Sequence, residues 1–416
     1  MNSLKLELKQ ELNEIVNKRN KWLLCSFEIS RYLVKSDNSI LIPPGNVWIS
    51  TLKAYPSYIY NLLKLLYFLV KQLFSIEKTS FHKKSTHILL STGYGYDLKN
   101  YRKLFLDNNV ELILLEAFDT SQFTNYNIVK IKSAFSFFLA NLKEANSLLR
   151  LKLPLDLRKK IVNQSLPQLA TYTYFCAFLS AIKEKIPNVK IFHSGAYLLS
   201  IAATRAGIET VYLYHGLIGP VGRASFPFNN QIYVYAVEEQ SYLEDISPNS
   251  NVCLYPTKEL SRLEKRVVIF LRLYDRDMSE ENLSELLTIF LKKEYQIFLK
   301  KHPNYKGDLA DKLVSKYNLE IADLQEDASG IVLNLQPSFT VGWMSTALCE
   351  SLLHGVVPIS LSEKEEINGT DQHGWNYFIY PIKKRTFSWK EEKGRIFELL
   401  ADFSLYGATV SELRTR

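Results

Sequence analysis

Between Val189 and Tyr214 the chain alternates in a way that few folds accommodate. Val189-Lys190-Ile191-Phe192-His193 is an apolar run, Ser194-Gly195 is a turn, Ala196 to Ala206 has helix-forming residues, Gly207 stops it, and Thr210-Val211-Tyr212-Leu213-Tyr214 is apolar again. A strand, a helix and a strand of this length predict a βαβ unit, hence a parallel sheet with helices on its faces. The pattern recurs later. Arg266 to Leu271 reads as a strand, Arg272-Leu273-Tyr274-Asp275-Arg276 as a polar loop, and Ser279 to Lys293 as a helix with Glu280 and Glu281 in its first turn. Tyr295 to Leu299 then reads as a strand, Asp308 to Tyr317 as a helix and Ser329 to Leu333 as a further strand. At 416 residues the chain exceeds what one core usually supports. The expected fold class is therefore α/β, with two Rossmann-like domains, residues 1–256 and 257–416, joined through the charged linker Pro256 to Lys265.

The first domain has more to place. His87 to Ser91 and Val110 to Leu115 read as strands, Asn125 to Lys152 and Pro167 to Ile186 as helical, Gln231 to Ala236 and Val252 to Tyr255 as strands. Tyr58 to Phe74 is nearly all apolar, with Asn61, Lys64, Lys71 and Gln72 on one stripe at helical spacing. Two lysines in its middle argue against a spanning helix. It reads either as a core helix with a thin solvated edge or as a peripheral membrane contact with snorkelling lysines. A closing helix is expected over Ser388 to Leu400.

Lys+Arg 51 against Asp+Glu 43 gives a net charge of +8, spread along the chain, which suits a phosphate-bearing partner. Cys25, Cys176, Cys253 and Cys349 lack metal-ligand or disulfide spacing, so no metal is expected and a reducing cytoplasm is the simplest home. Met1 to Glu7 mixes charged and apolar residues and does not read as a secretory signal. Asp275-Arg276-Asp277 is flanked by arginine and does not suit a cation. P-loop, nucleophile-elbow, zinc and basic-aromatic nucleic-acid patterns are not found.

Three stretches carry candidate chemistry. Ser345 and Thr346 open a short helix, where hydroxyls and free backbone N–H groups make a seat for an anion, and Glu350 lies one turn in, suited to a ribose. Lys300-Lys301-His302-Pro303 follows a strand, and an imidazole beside two ammonium groups suits phosphate oxygens. His215-Gly216 ends the Thr210 strand, where the histidine can act as a base. Glu238-Glu239 is its rival. Gly93, Gly95 and Ser194 lie in loops at strand ends, where a substrate can approach backbone.

Together, the His-Gly loop, Lys-His-Pro and Ser345-Thr346-x-x-x-Glu350-x-x-x-x-Gly355-x-x-Pro358-Ile359 resemble GT-B glycosyltransferases of bacterial surface polysaccharide synthesis. The His-Pro and Ser-Thr motifs are similar to those of sialyltransferases and Kdo transferases. The resemblance implies two domains facing across a cleft and a nucleotide-sugar donor, a CMP-sugar first, as co-substrate without a further cofactor. It implies a lipid-linked glycan acceptor and a place on the inner face of the cytoplasmic membrane. By the resemblance, His302 and Ser345 with Thr346 hold the leaving group; Lys300, Lys301, Pro303, Glu350 and Arg272 complete the expected donor side, and His215, Glu239, Gly216, Gly93, Gly95 and Ser194 the expected acceptor side. The sequence departs from the sialyltransferases in having no acidic-acidic-Gly motif before His302. The His215-Gly216 pair looks more like the CDP-dependent glycerophosphotransferases. Gly342 stands where a Glu-x7-Glu retaining enzyme has a carboxylate. A non-catalytic scaffold at the membrane is the rival from another class.

Overall fold

The computed structural model describes residues 47–75, 86–93, 95–105, 112–116, 119–150, 162–163, 166–214, 229–235, 240, 243–244, 249–256, 260–278, 280–322, 325–343 and 345–360. The chain divides into two compact units. The first holds most of residues 1–253, and the second holds 254–416 with the short runs 215–220 and 234–242.

In the first unit the order is α1 (Val47–Leu73), β1 (His87–Ser91), α2 (Tyr96–Leu104), β2 (Leu112–Glu116), α3 (Thr120–Thr124), α4 (Ile131–Leu149), α5 (Leu169–Lys185), β3 (Lys190–His193), α6 (Tyr197–Arg205), β4 (Glu209–Leu213), β5 (Gln231–Val234) and β6 (Asn251–Leu254). These strands form a six-stranded sheet in the order β2-β1-β3-β4-β5-β6. β1 pairs parallel with β2 and β3, β3 with β4, and β4 with β5. The expected βαβ unit is there, and Gly207, at φ +70°, ends α6 in a conformation that L side chains rarely adopt. The core is centred on α5, whose Leu169, Tyr174, Phe175, Phe178, Leu179 and Ile182 are all buried. Each such large apolar side chain contributes about 1.5–3 kcal/mol on leaving water.

The second unit runs β7 (Glu264–Phe270), α7 (Glu280–Lys292), β8 (Gln296–Lys300), α8 (Leu309–Tyr317), β9 (Glu320–Ile321), α9 (Ala328–Leu335), β10 (Pro337–Gly342), α10 (Thr346–Leu353) and β11 (Val357–Ser360). Its five strands are ordered β11-β10-β7-β8-β9, and every pair is parallel. Counted from β7, this is the 3-2-1-4-5 order of a Rossmann half, and the order reverses between β7 and β10. In the first sheet the reversal lies between β1 and β3.

Two expectations are corrected. Ser329 to Leu333 is not a strand but lies in α9. Asp327 caps that helix, its carboxylate accepting from the Gly330 N–H at 2.8 Å, and Gln336 ends it in the left-handed region. The strand is Pro337–Gly342 instead, buried along its whole length although Ser338 and Thr340 interrupt its apolar pattern. The long apolar helix begins at Val47 rather than Tyr58, running through Pro56, and its polar stripe does not form a solvated edge. Asn61 and Gln72 are buried. The Asn61 side-chain oxygen accepts from the Ala170 N–H at 2.9 Å, satisfying a first-turn donor of α5, and Gln72 bonds both backbone groups of Val129. Among the described residues no helix is long and apolar enough to cross a membrane. The expected helix over Ser388 to Leu400 lies outside the described residues.

Candidate functional site

The second sheet brings its candidate residues to one edge. All its strands point the same way, so His302 after β8 and Ser345 after β10 both lie at the C-terminal end. They flank the end of β7, two strand spacings apart, which is about 9.5 Å. Ligands of open α/β sheets bind at this end, at the point where the strand order reverses.

Ser345 is the cap of α10. Its Oγ accepts from the Ala347 N–H at 3.2 Å, and its carbonyl accepts from Leu348 N–H at 3.0 Å. Thr346 is the first helical residue and is half-buried. The helix begins close against the sheet: a Cβ on Gly342 would meet the Phe270 carbonyl at 3.4 Å and Leu348 at 3.6 Å. Gly355, at φ +81°, ends it. Glu350 is buried, and its Oε2 accepts from Ser329 Oγ of α9 at 3.3 Å. This contact fastens α10 to α9.

His302 stands exposed on a turn closed by the Tyr305 N–H donating to its carbonyl at 2.8 Å, with Pro303 at the position that favours a fixed φ. Its Nδ1 accepts from the Asn304 N–H at 3.1 Å. A neutral ring held that way carries its proton on Nε2, which makes that nitrogen the donor. Lys300 is buried at the last position of β8. Lys301 is engaged with α8, its Nζ 2.6 Å from Asp311 Oδ1 and 5.7 Å from the Tyr305 ring centre. The Arg272 backbone N–H donates to Met278 Sδ at 3.4 Å, and its half-buried side chain lies in the loop after β7.

One residue of this edge escaped the sequence reading in its true role. Asp275, considered there only as a poor cation ligand, accepts from the Tyr305 hydroxyl and from the N–H groups of Asp308, at 2.9 Å, and Leu309, at 3.1 Å. It thereby caps α8 from 33 residues away and ties the β7 loop to the turn that carries His302. Burial would push its carboxyl up, but the hydrogen bonds from Tyr305, Asp308 and Leu309 hold it below the ordinary carboxylate range. Burial and the bond to Asp275 push the Tyr305 phenol up to about 12. A Cβ on Gly307 would lie 2.1 Å from Asp275 Oδ1, so a side chain there would displace the carboxylate that ties the loops. The local pattern carries no mark of this, because cap and helix belong to different βα units.

The reversal point of the first sheet gathers Gly93, Gly95 and Ser194. Gly93 and Gly95 have φ +81° and +78° with open space around them. Asp97, buried at the start of α2, accepts at Oδ2 from Thr92 N–H at 2.5 Å and Thr92 Oγ1 at 2.6 Å, and at Oδ1 from Ser194 N–H at 3.1 Å. His193, also buried, bonds through Nε2 to Asn229 Oδ1 at 2.9 Å. Burial pushes its pKa down to about 4, against the opposing pull of Asn229 and Asp97. His215, Gly216 and Glu239 lie outside the described residues.

Comparison with known proteins adds little to this geometry. No family model and no curated protein matches the chain. Among solved structures, UDP-GlcNAc 2-epimerase from Methanocaldococcus jannaschii is similar with a TM-score of 0.38 at 12% identity, over 67% of this chain and 83% of that one. The same enzyme in complex with UDP-GlcNAc and UDP is similar with a TM-score of 0.35 at 12% identity, over 66% and 83%. Likeness at this level carries no argument about activity, and what stands on the chain's own geometry is a pair of Rossmann-like α/β units.

Proposed function

We propose that this chain is a GT-B-type glycosyltransferase, its second unit holding a nucleotide-sugar donor and its first unit the acceptor. The observation that carries the reading is the capped N-terminus of α10 at the reversal point of a 3-2-1-4-5 parallel sheet, with the exposed imidazole of His302 on the same edge. The positive end of the α10 dipole, the Ser345 and Thr346 hydroxyls and an imidazole donor at that edge suit the phosphate of a departing nucleotide. In the reaction the acceptor hydroxyl oxygen attacks the anomeric carbon and the bond to the nucleotide phosphate breaks. The phosphate keeps the electron pair and is stabilised by these donors. The hydroxyl proton passes to a base, for which His215 is our candidate ahead of Glu239.

The motif resemblance favours a CMP-sugar of the Kdo or sialic-acid kind and a growing lipid-linked capsule or lipopolysaccharide glycan, with the protein working at the inner membrane face. The chemistry calls for no metal, since fixed donors take up the phosphate charge. A second reading, transfer of a polyol phosphate from a CDP donor, is favoured by His215-Gly216 and uses the same anion seat. Mass spectrometry of the product separates the two, a glycosidic link against a phosphodiester.

Removing one preorganised donor to a developing oxyanion costs about 10²–10³ in turnover. His302→Ala should lose about that much in a purified transfer assay and keep its melting temperature, because the side chain is exposed. Transfer at the wild-type rate would remove His302 from the site.

A further inference from the structure

We propose that the outward face of α1 lies flat on an anionic lipid surface. Leu52, Tyr55, Ile59, Tyr60, Leu63, Leu66, Tyr67, Val70 and Leu73 of this helix, with Phe74 just beyond it, are all exposed, Ile59 by 62% and Phe74 by 79%. At about 100° per residue they fill one arc of about 140°. The opposite side carries Ala54, Asn61, Leu65, Phe68 and Gln72, all buried against the unit. The fold thus spends Asn61 and Gln72 on internal hydrogen bonds and leaves a second apolar face of α1 outside, the reverse of what a solvated helix needs. A continuous apolar strip of this kind marks a contact surface.

Charge decides what covers it. α1 contains Lys53, Lys64 and Lys71 and no acidic residue. The three lysine positions fall together, about 20–40° beyond the edge of the apolar arc, with Tyr60 and Tyr67 on the border between. Tyrosines at the border and cations just outside it match the layers of a bilayer surface, acyl chains below and phosphates above. A second copy of the helix would bring its own lysine row to this one, and the carboxylate beside that row, Asp119, already faces Lys71 of its own chain. The strip, from Leu52 to Phe74, runs about 34 Å at about 1.5 Å per residue. The inference stands on the helix alone, so failure of nucleotide binding leaves it intact.

The test is co-sedimentation of the full chain with phosphatidylcholine vesicles, with and without phosphatidylglycerol. The expected result is binding at least about tenfold stronger to the anionic vesicles, lost in the triple variant Ile59→Ser, Leu63→Ser, Tyr67→Ser with an unchanged melting temperature. Wild type that stays in solution with both vesicles would overturn the proposal, as would a triple variant that binds like wild type. A wild-type dimer that the triple variant splits, seen by light scattering, would give the face to a second copy and also overturn it. Should the triple variant fail to fold, Leu63→Trp is the gentler probe. Its emission should be quenched by bromine-labelled acyl chains, and unquenched emission counts against the proposal.

Discussion

At the reversal point of the first sheet, Asp97 is buried and its two oxygens take three donors, from Thr92 and Ser194. In the second sheet His302 is exposed after β8, one strand beyond the reversal point, with one ring nitrogen accepting from Asn304, and the capped start of α10 lies at the reversal point itself. Both groups lie at the C-terminal end of their sheet. One spends its polar groups on holding loops together, and the other leaves an imidazole exposed. Asp275 shows how the second edge manages this: it does for the β7 and β8 loops what Asp97 does for the β1 and β3 loops, and so frees His302 from structural duty.

The largest test of this contrast is Asp97→Ala, which leaves three donors without an acceptor. It should cost about 3–5 kcal/mol of stability, measured by denaturant unfolding. Asp97→Asn should rescue little, because its amide nitrogen would face a donor. A stable Asp97→Ala protein that has lost activity would break the contrast and make Asp97 a reacting group.

Next in size is the pH dependence of His193. Its unfolded pKa is the ordinary 6.5 and its folded pKa is about 4, so between these values the unfolded chain binds more protons. Stability should therefore fall as pH drops from about 6.5 towards about 4, by up to about 3 kcal/mol, with no contribution from this group above pH 6.5. His193→Gln, which keeps a donor for Asn229, should flatten that part of a stability–pH curve. An unchanged slope would mean that the buried imidazole is not the group titrating.

Ser345 offers the smallest and sharpest test. Ser345→Ala should lose about 1 kcal/mol with its cap, while Ser345→Asp should keep the cap and repel a phosphate. The account expects Ser345→Asp to melt like wild type and to lose nucleotide affinity. If both variants bind nucleotide as wild type does, α10 does not seat the anion.

Much of this was legible in the sequence, for local reasons. The Val189 to Tyr214 unit was readable because its strands are apolar runs and its glycines fall where the chain must turn or take a left-handed φ. The cap at Ser345 was readable because capping is written within three residues. What was not readable depends on partners far away. α9 was mistaken for a strand because Gly330-Ile331-Val332-Leu333 is β-rich locally, and the cap at Asp327 and the true strand at Pro337–Gly342 outweigh that preference. Asp97 and Asp275 show no local pattern, since Ser194 lies 97 residues from the one and Asp308 33 residues from the other. The inward turn of Asn61 and Gln72 could not be foreseen, because the backbone groups they satisfy belong to Ala170 and Val129.

The most direct test of the account is a binding screen of CMP, CDP, UDP, GDP and dTDP by thermal shift, followed by calorimetry on the wild type and on His302→Ala and Ser345→Asp. A ligand that binds only the native state raises the melting temperature by mass action. The account predicts that one nucleotide, with CMP foremost, stabilises the wild type and that both substitutions weaken its binding. A chain that binds none of the five, or one whose nucleotide affinity ignores both substitutions, would contradict the assignment of the donor site to the second sheet.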